Sequence, residues 1–327
     1  MARDRSSEPG AGESRFEKII PPRSPETLQR EVEALPETQR LVVTGDQEVW
    51  IARAEQIPTL LFEIGRLRET TFREAGEGTG FQVDLDGYDF YYLHMFLWHR
   101  GRREVVGGYR FGLTDRILST RGLSGLYTST LFEFDEQLFE EMGPAIELGR
   151  SFISLEHQRS YAGLLTLWKG IGAFVVRNPR HATLFGPVSI SDQYKGKSQR
   201  AIVTFLRQNR YAHPWSRYVH ARNPFRLGWR RPKFPRRNRL ESLEDVSALI
   251  SKIESDQKGV PILLKQYMKL GGTLLGFNID PHFSDVLDVL TMVDLRRTDR
   301  KALQRYMGRE GAEAFFAHHD GSSTKAS

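Results

Sequence analysis

The order of elements along the chain predicts a layered α/β domain: a central, mixed and twisted sheet flanked by helices, with a basic irregular insertion. Three observations carry this. Between Pro144 and Tyr194 an apolar run (Ala145 to Ser154), a polar loop, an apolar helical stretch (Tyr161 to Val176) and a second apolar run (Ala182 to Ser191) follow one another. Two parallel strands joined by a crossover helix explain that order, and the loop after the first strand is where open α/β sheets bind ligands. Ahead of it lie a helix and two strands joined by a tight turn, and a late strand pair follows, so the sheet is mixed.

The elements read as follows. Residues 1–40 are rich in Ser, Glu, Pro and Gly and are expected to be a disordered extension. Leu41 to Val43 and Val49 to Ala52 flank Gly45-Asp46 as a hairpin. Residues 56–75 place Ile57, Leu60, Leu61, Ile64, Leu67 and Phe72 at helical spacing, with Glu63, Arg66, Glu69 and Arg73 on the opposite face; Gly76, Gly78 and Gly80 end that helix. An Asp-rich segment (Asp84, Asp86, Asp89) precedes an aromatic strand, Tyr88 to Trp98, which turns at His99 to Arg102 and returns over Glu104 to Leu113. Leu126 to Phe134 reads as extended and Asp135 to Met142 as a short helix. Lys197 to Gln208, Ser242 to Ile253 (Ser242 as N-cap) and Pro261 to Leu270 (stopped by Gly271-Gly272) are helices. Leu274 to Ile279 and Val286 to Leu295 are strands around Asp280-Pro281, and Thr298 to Met307 is the closing helix. The main domain thus spans 41–308, with an insertion at 210–240 and a flexible tail at 309–327.

Composition narrows the function. The 39% hydrophobic content supports a real core, and with no cysteine there is no disulfide, acyl-cysteine intermediate or thiolate metal site. This fits a reducing cytoplasm. The first residues carry charges without an apolar stretch behind them, which is not the pattern of a signal peptide, and no run is long and apolar enough to span a bilayer. The net charge of +6 is local in origin: Lys195 to Leu240 holds 14 basic and no acidic residues, whereas the remainder has 33 basic against 41 acidic. A specific anionic partner follows from that asymmetry. Prolines and aromatics interrupt the basic segment, which leaves three partners open: an acidic carrier protein, an anionic membrane surface, or nucleic acid.

The element order, together with FEIGRLRETTFREAGEG, DLDGYD, VVGGYRFG, ELGRSF, LWKGIGAFV, GPVSIS and LLKQYMKLGG…GFNIDPHFSD…VDL, resembles the GNAT-like bacterial N-acyltransferases. More narrowly, it resembles the branch of ornithine–acyl carrier protein N-acyltransferases and "putative hemolysins", which is similar to acyl-homoserine-lactone synthases. The resemblance covers about Val49 to Met307. It implies transfer of a (3-hydroxy)fatty acyl group from acyl carrier protein to the α-amine of an amino acid, ornithine first. Glycine, another amino acid or a homoserine-lactone-like signal is the alternative acceptor, and a non-catalytic membrane-active or nucleic-acid-binding protein is the alternative class. It implies no metal or redox cofactor, only the phosphopantetheine of the donor, and a cytoplasmic enzyme peripheral to the membrane. Acyl-CoA members of the fold cradle pyrophosphate with Gln/Arg-x-x-Gly-x-Gly/Ala. Here the loop is Arg159-Ser160-Tyr161-Ala162-Gly163-Leu164-Leu165, with its glycine one position late, which favours a carrier-borne donor with a single phosphate.

Against that background Glu147 is the candidate general base, Tyr194 the acid at the leaving thiolate and Ser151 a further catalytic group. Strand alternation places Glu147 and Ser151 on one face and Arg150 on the other. Backbone amides at Phe152, Ile153 and Ser154 would polarise the thioester carbonyl, with Arg159 and Gly163 at the donor's phosphate. Asp84, Asp86 and Asp89 would take the acceptor's ammonium groups and Arg68 and Arg150 its carboxylate. Arg207, Arg210 and Arg217 would dock the carrier. Each has a structural alternative: Glu147 paired with an arginine, an Asp-rich turn, arginines of the first helix (Arg66, Arg68, Arg73) paired with those aspartates, an ordinary helix-start tyrosine, a solvated basic loop.

Overall fold

The computed structural model describes residues 16–191, 193–209, 211–227, 240, 242–281 and 285–323. In chain order the elements are α1 (Pro25–Glu33), β1 (Arg40–Thr44), β2 (Gln47–Arg53), α2 (Pro58–Glu74), β3 (Leu93–His99), β4 (Glu104–Leu113), α3 (Thr114–Arg121), β5 (Phe132–Phe134) and α4 (Glu136–Met142). There follow β6 (Ala145–Ile153), α5 (Ala162–Arg177), β7 (Thr183–Ile190), α6 (Gly196–Gln208), β8 (Val219–Ala221), α7 (Leu243–Ile253), α8 (Ile262–Lys269), β9 (Thr273–Asp280), β10 (Val286–Asp294) and α9 (Arg300–Ser323).

Eight strands form one mixed sheet in the order β1-β2-β3-β4-β6-β7-β10-β9, and β5 and β8 make a separate ribbon. Pairing is antiparallel except between β6 and β7, which run parallel with α5 as the crossover. Alternation along the strands explains the two-sided burial. Val49 and Ile51 of β2, with Met95 and Leu97 of β3, face a core shared with α5 and α9; Trp50, Phe96 and Trp98 face the opposite core with α1 and α2.

The parallel ladder is short. It runs from Ala145–Thr183 to Glu147–Phe185 and then stops. At the next step the strands touch so closely that a Cβ on Gly186 would lie 2.0 Å from the Leu148 carbonyl oxygen, which explains the glycine. Beyond that contact the strands part, leaving a fork whose arms are residues 149–153 of β6 and 187–190 of β7.

A bulge shapes the first arm. Gly108 of β4 pairs with Phe152 and Arg110 with Gly149, so Tyr109 alone opposes Arg150 and Ser151. Arg150 takes a left-handed φ of 50°, as such a bulge requires. The extra residue reverses the facing of the strand: Leu148 packs in the core beneath α5 and Phe152 in the core beneath α2. The expected sharing of a face by Glu147 and Ser151 is therefore corrected. Ser151 adjoins Tyr109 and Trp168 on the α5 side, while Arg150 comes to the α2 side with Glu147.

Both chain ends differ from expectation. Residues 16–40 are ordered, because Leu28, Val32 and Leu35 at i, i+4 and i+7 bury against Trp50 and Leu60. Residues 309–323 continue α9 after a break at Gly308, with Ala312, Phe315 and Phe316 buried in the main core. Glu63 and Glu69, expected on a solvent face, are buried: Arg66 binds Glu63, and Glu69 accepts from the amides of Thr79 and Gly80 at 3.0 and 2.9 Å. Helix α3 was not anticipated, and within the insertion expected to be irregular Val219–Ala221 forms β8. Truncation after Gly308 removes two buried phenylalanines and should lower unfolding stability by about 3–6 kcal/mol, read from the denaturant midpoint.

Candidate functional site

A cavity of about 450 Å³ fills the fork between β6 and β7. Gly149, Arg150 and Ser151 form one wall, Pro187, Val188 and Ser189 the other, and Val286 and Asp288 of β10 lie behind β7. The end of α2 (Phe72, Ala75, Glu77) and the start of α8 (Pro261 to Leu263) close the sides, with Tyr127, Gln158 and Asp280. Apolar walls with few convergent polar groups are the usual make-up of a small-molecule site.

Asp288 is the carboxylate with the most unusual setting. It is 3% exposed, and Ser189 Oγ, its neighbour across the β7–β10 ladder, donates to Oδ1 at 2.9 Å. Burial raises its pKa, and Asp280 and Glu77 add to the rise; the Ser189 hydrogen bond and Arg150 oppose it, leaving a value of about 7. A carboxyl group tuned near neutrality in a cleft is suited to accept a proton. The sequence reading passed over this residue, although a lone Asp within the apolar run VLDVLTMV was a visible signal.

Arg150 reaches the cavity from a buried ionic cluster. Its Nε lies 3.2 Å from Asp84 Oδ2 and its Nη2 3.6 Å from Asp86 Oδ2. Arg68 on α2 contacts Asp84 at 2.9 Å and Asp89 at 2.8 Å, and Arg110 on β4 contacts Asp86 at 2.6 Å and Asp89 at 3.2 Å. Tyr88, Tyr92 and Tyr127 surround the Arg110 guanidinium at 5.6, 5.3 and 4.9 Å. Burial alone would raise Asp84, but Arg150 and Arg68 outweigh it and hold the carboxyl below its ordinary value; Arg68 and Arg110 do the same for Asp89. The three aspartates, expected to hold the acceptor's ammonium groups, thus face arginines, and Arg68 lies inside the cluster and away from the cavity wall. Of the five residues expected to bind the acceptor, Arg150 lines the cavity.

The remaining candidates fall in different places. Glu147 is buried at the last parallel pair, with its pKa raised by burial; Thr128 N–H donates to it at 2.6 Å and the Tyr92 hydroxyl donates to its other oxygen. Tyr127 N–H in turn donates to Tyr92 Oη at 2.9 Å, so Glu147 positions the segment that brings the Tyr127 ring into the cavity wall. Its partners are a tyrosine and an amide, where an arginine was the expected structural alternative. Tyr194 donates to the Gly259 carbonyl at 2.8 Å, burial pushes its phenol up to about 12, and it is not among the residues lining the fork.

On the donor side, Ser154 N–H is spent on Val106 O at 2.9 Å, and Phe152 packs in the α2-side core. The peptide at Ile153 faces the other way by alternation, and its carbonyl accepts from Gln158 Nε2 at 2.9 Å. Its N–H points away from β4, because Gly107 and Ile153 form a non-hydrogen-bonded pair. Arg159 is exposed in the loop before α5. A Cβ on Gly163 would approach Ile153 Cδ1 to 3.3 Å, so that glycine lets α5 sit against the end of β6. Arg207 stacks at 5.1 Å from the Phe277 ring, Arg217 donates to Tyr218 Oη at 2.7 Å, and Arg210 lies outside the described residues, as does the 228–239 part of the insertion. Among the described residues, Glu104, Glu156 and His157 are the three metal-capable side chains found together, and His157 already bonds Glu104.

The mixed sheet forks at its parallel pair and gathers polar groups in the fork. Residues 67–169 match the model of the acetyltransferase (GNAT) domain. Two glycine N(alpha)-acyltransferases are similar over most of their length. That of Bacteroides thetaiotaomicron is 33% identical over 304 residues, covering 88% of this chain and 89% of that protein. That of Phocaeicola vulgatus is 32% identical over 287 residues, covering 83% and 86%. The chain belongs to this family of GNAT N-acyltransferases. A solved CoA-dependent acyl-homoserine lactone synthase, bound to SAM and isopentyl-CoA, overlaps 81% of this chain and 96% of that one at 13% identity and a TM-score of 0.40, an overlap too loose to place residues. Among the described residues no helix is long and apolar enough to cross a membrane.

Arg68→Met would leave Asp84 and Asp89 buried against fewer cations. It should cost about 3–5 kcal/mol of stability, measured by chemical denaturation, whereas loss of a solvated surface charge would cost under about 0.5 kcal/mol.

Proposed function

We propose that the chain transfers a fatty acyl group from a carrier-borne thioester to the α-amine of an amino acid, with glycine as the first acceptor. The observation that carries this reading is the fork cavity itself, which sets Arg150 and Asp288 on its opposite walls. Arg150 would meet the acceptor's carboxylate, and Asp288 would take the proton that the amine sheds as it attacks. The nitrogen lone pair adds to the thioester carbonyl carbon, the Ile153 N–H polarises the carbonyl oxygen, and the C–S bond then breaks. The thiolate leaves and recovers the proton from Asp288. Ser189 keeps the Asp288 carboxylate oriented. Glu147 holds Tyr127 in the wall and takes no part in proton transfer.

The name shared by the two relatives supports glycine. Acyl carrier protein as donor is supported by the displaced glycine in the 159–165 loop and by the basic segment that follows, and the amphiphilic product suits an enzyme working at an anionic membrane face. A second acceptor reading has its own support: Glu77 and Asp280 line the cavity along with Asp288, and a dibasic amino acid such as ornithine would bring a second ammonium to them. Purified protein offered an acyl carrier thioester with glycine, ornithine or homoserine lactone decides among these. Release of thiol together with N-acylglycine by mass spectrometry is expected. Preference for ornithine selects the second acceptor, and no acylated amine with any of them contradicts the function.

Asp288→Asn should lower kcat/KM by about 10²–10⁴-fold, the usual worth of a positioned base. For the wild type, kcat/KM should rise with pH and level off above about 7 as Asp288 loses its proton. The Ser189 hydrogen bond lowers the Asp288 pKa, so Ser189→Ala should move that limb to higher pH. Glu147→Gln should leave the limb in place while lowering thermal stability.

A further inference from the structure

A second cavity, of about 280 Å³, lies on the far side of the β6 terminus from the fork. Ser154, Leu155 and Glu156 form its floor, α2 contributes Glu63, Arg66, Thr70 and Thr71, the 16–25 segment contributes Arg23, and the β3–β4 turn contributes Arg102 and Arg103. The reaction assigned above uses none of these side chains.

Two of the lining residues carry a buried polar atom with no hydrogen-bond partner in the protein: Arg23 Nε and Thr71 Oγ1. Thr71 is 8% exposed, so its hydroxyl is closed off from bulk solvent. A buried donor without an acceptor is costly, and natural structures rarely keep one without a use. Both atoms can donate, and one belongs to a guanidinium, so the complementary ligand is an oxygen-bearing anion. Three carboxylates also line the cavity, Glu63, Glu104 and Glu156, and the first two already have partners. Glu63 is held by Arg66 through both oxygens at 3.0 and 2.5 Å, and Glu104 is engaged by His157 at 2.9 Å and Arg102 at 3.6 Å. Arg103, bridged to Glu26 at 3.0 Å, and Arg102 are half-exposed or more at the rim, where they extend the positive field outward.

We propose that this cavity binds a phosphate group, with Arg23 Nε and Thr71 Oγ1 as its buried donors and Arg102 at its rim. The volume suits a phosphate ester with a few attached atoms and is small for a nucleotide. Two sources share that chemistry: the phosphodiester of the donor's phosphopantetheine, or free phosphate acting as an effector. The first rests on the acyl carrier reading. It is sterically reasonable because Ser151 in the fork and Ser154 in this cavity, just past the end of β6, are three residues apart along the chain, roughly 10 Å at strand rise, within the span of an extended pantetheine arm.

The test is a calorimetric titration of the full chain with inorganic phosphate at low ionic strength, for wild type, Arg23→Gln and Thr71→Val, with melting temperature as the check on folding. KM is then measured for a carrier-borne acyl thioester and for an N-acetylcysteamine thioester, which has no phosphate. Saturable binding by wild type, weakened about tenfold in Arg23→Gln and severalfold in Thr71→Val, is expected. A matching rise in KM for the carrier donor alone assigns the site to the donor's phosphate; unchanged KM for both donors assigns it to a free anion. No saturable phosphate binding by wild type, or binding indifferent to both substitutions, overturns the proposal. Absence of turnover with every donor would defeat the acyltransfer reading instead, and the phosphate titration would still decide the site.

Discussion

The buried cluster of Arg68, Arg110 and Arg150 with Asp84, Asp86 and Asp89 is the interaction on which the rest of the molecule depends. It joins four pieces of chain: α2, the segment after it, β4 and the bulged arm of β6. Three positive and three negative charges are gathered with all but Asp86 largely removed from water, and the desolvation cost is offset because every ion has at least one partner of opposite sign. Arg150 enters the cluster only because its left-handed backbone turns it to the α2 side. The same bulge sends Ser151 the other way. One inserted residue therefore decides which side chains of β6 face which core, and the ion cluster holds that residue in place.

From that constraint the chemistry of the fork follows. The parallel ladder ends at Glu147 and Phe185, so beyond it the facing edges of β6 and β7 do not pair and a cavity lies between them. The antiparallel pairing of β7 with β10 persists at the same level, which brings Asp288 opposite Ser189 on the wall. Burial there disfavours the charged carboxylate, while one hydroxyl donor and the Arg150 cation favour it. The balance falls near neutrality, where a carboxylate can both accept and return a proton. Asp84 and Asp89 experience comparable burial with arginines in contact, and the balance falls the other way. Distance to a guanidinium separates the structural carboxylates from the one proposed as proton acceptor.

Much of the scaffold was legible because local rules decided it. The turn at Gly45 needs a left-handed residue, and Ser242 and Asp245 form the reciprocal cap expected ahead of α7. The strand-loop-helix-strand order of 144–194 likewise marked the fork. Features decided by tertiary context were not legible. The bulge falls at Gly149-Arg150-Ser151, where three polar or small residues give alternation nothing to register against. Pairing of the Asp-rich segment with Arg68 was a visible alternative, but Arg110 and Arg150, far away in sequence, were not legible as its other partners. The apolar spacing of Leu28, Val32 and Leu35, and of Ala312, Phe315 and Phe316, was present but obscured by polar composition around it. Asp288 was masked in the opposite manner, as one carboxylate inside an apolar strand.

The central claim is that acyl transfer takes place in the fork between β6 and β7. A crystal structure of the protein with N-acylglycine, the product of the proposed reaction, tests it most directly. The account predicts the amide nitrogen within hydrogen-bonding distance of the Asp288 carboxylate, with the glycine carboxylate turned to Arg150. Product bound with its amide away from Asp288, or outside the fork, would contradict it.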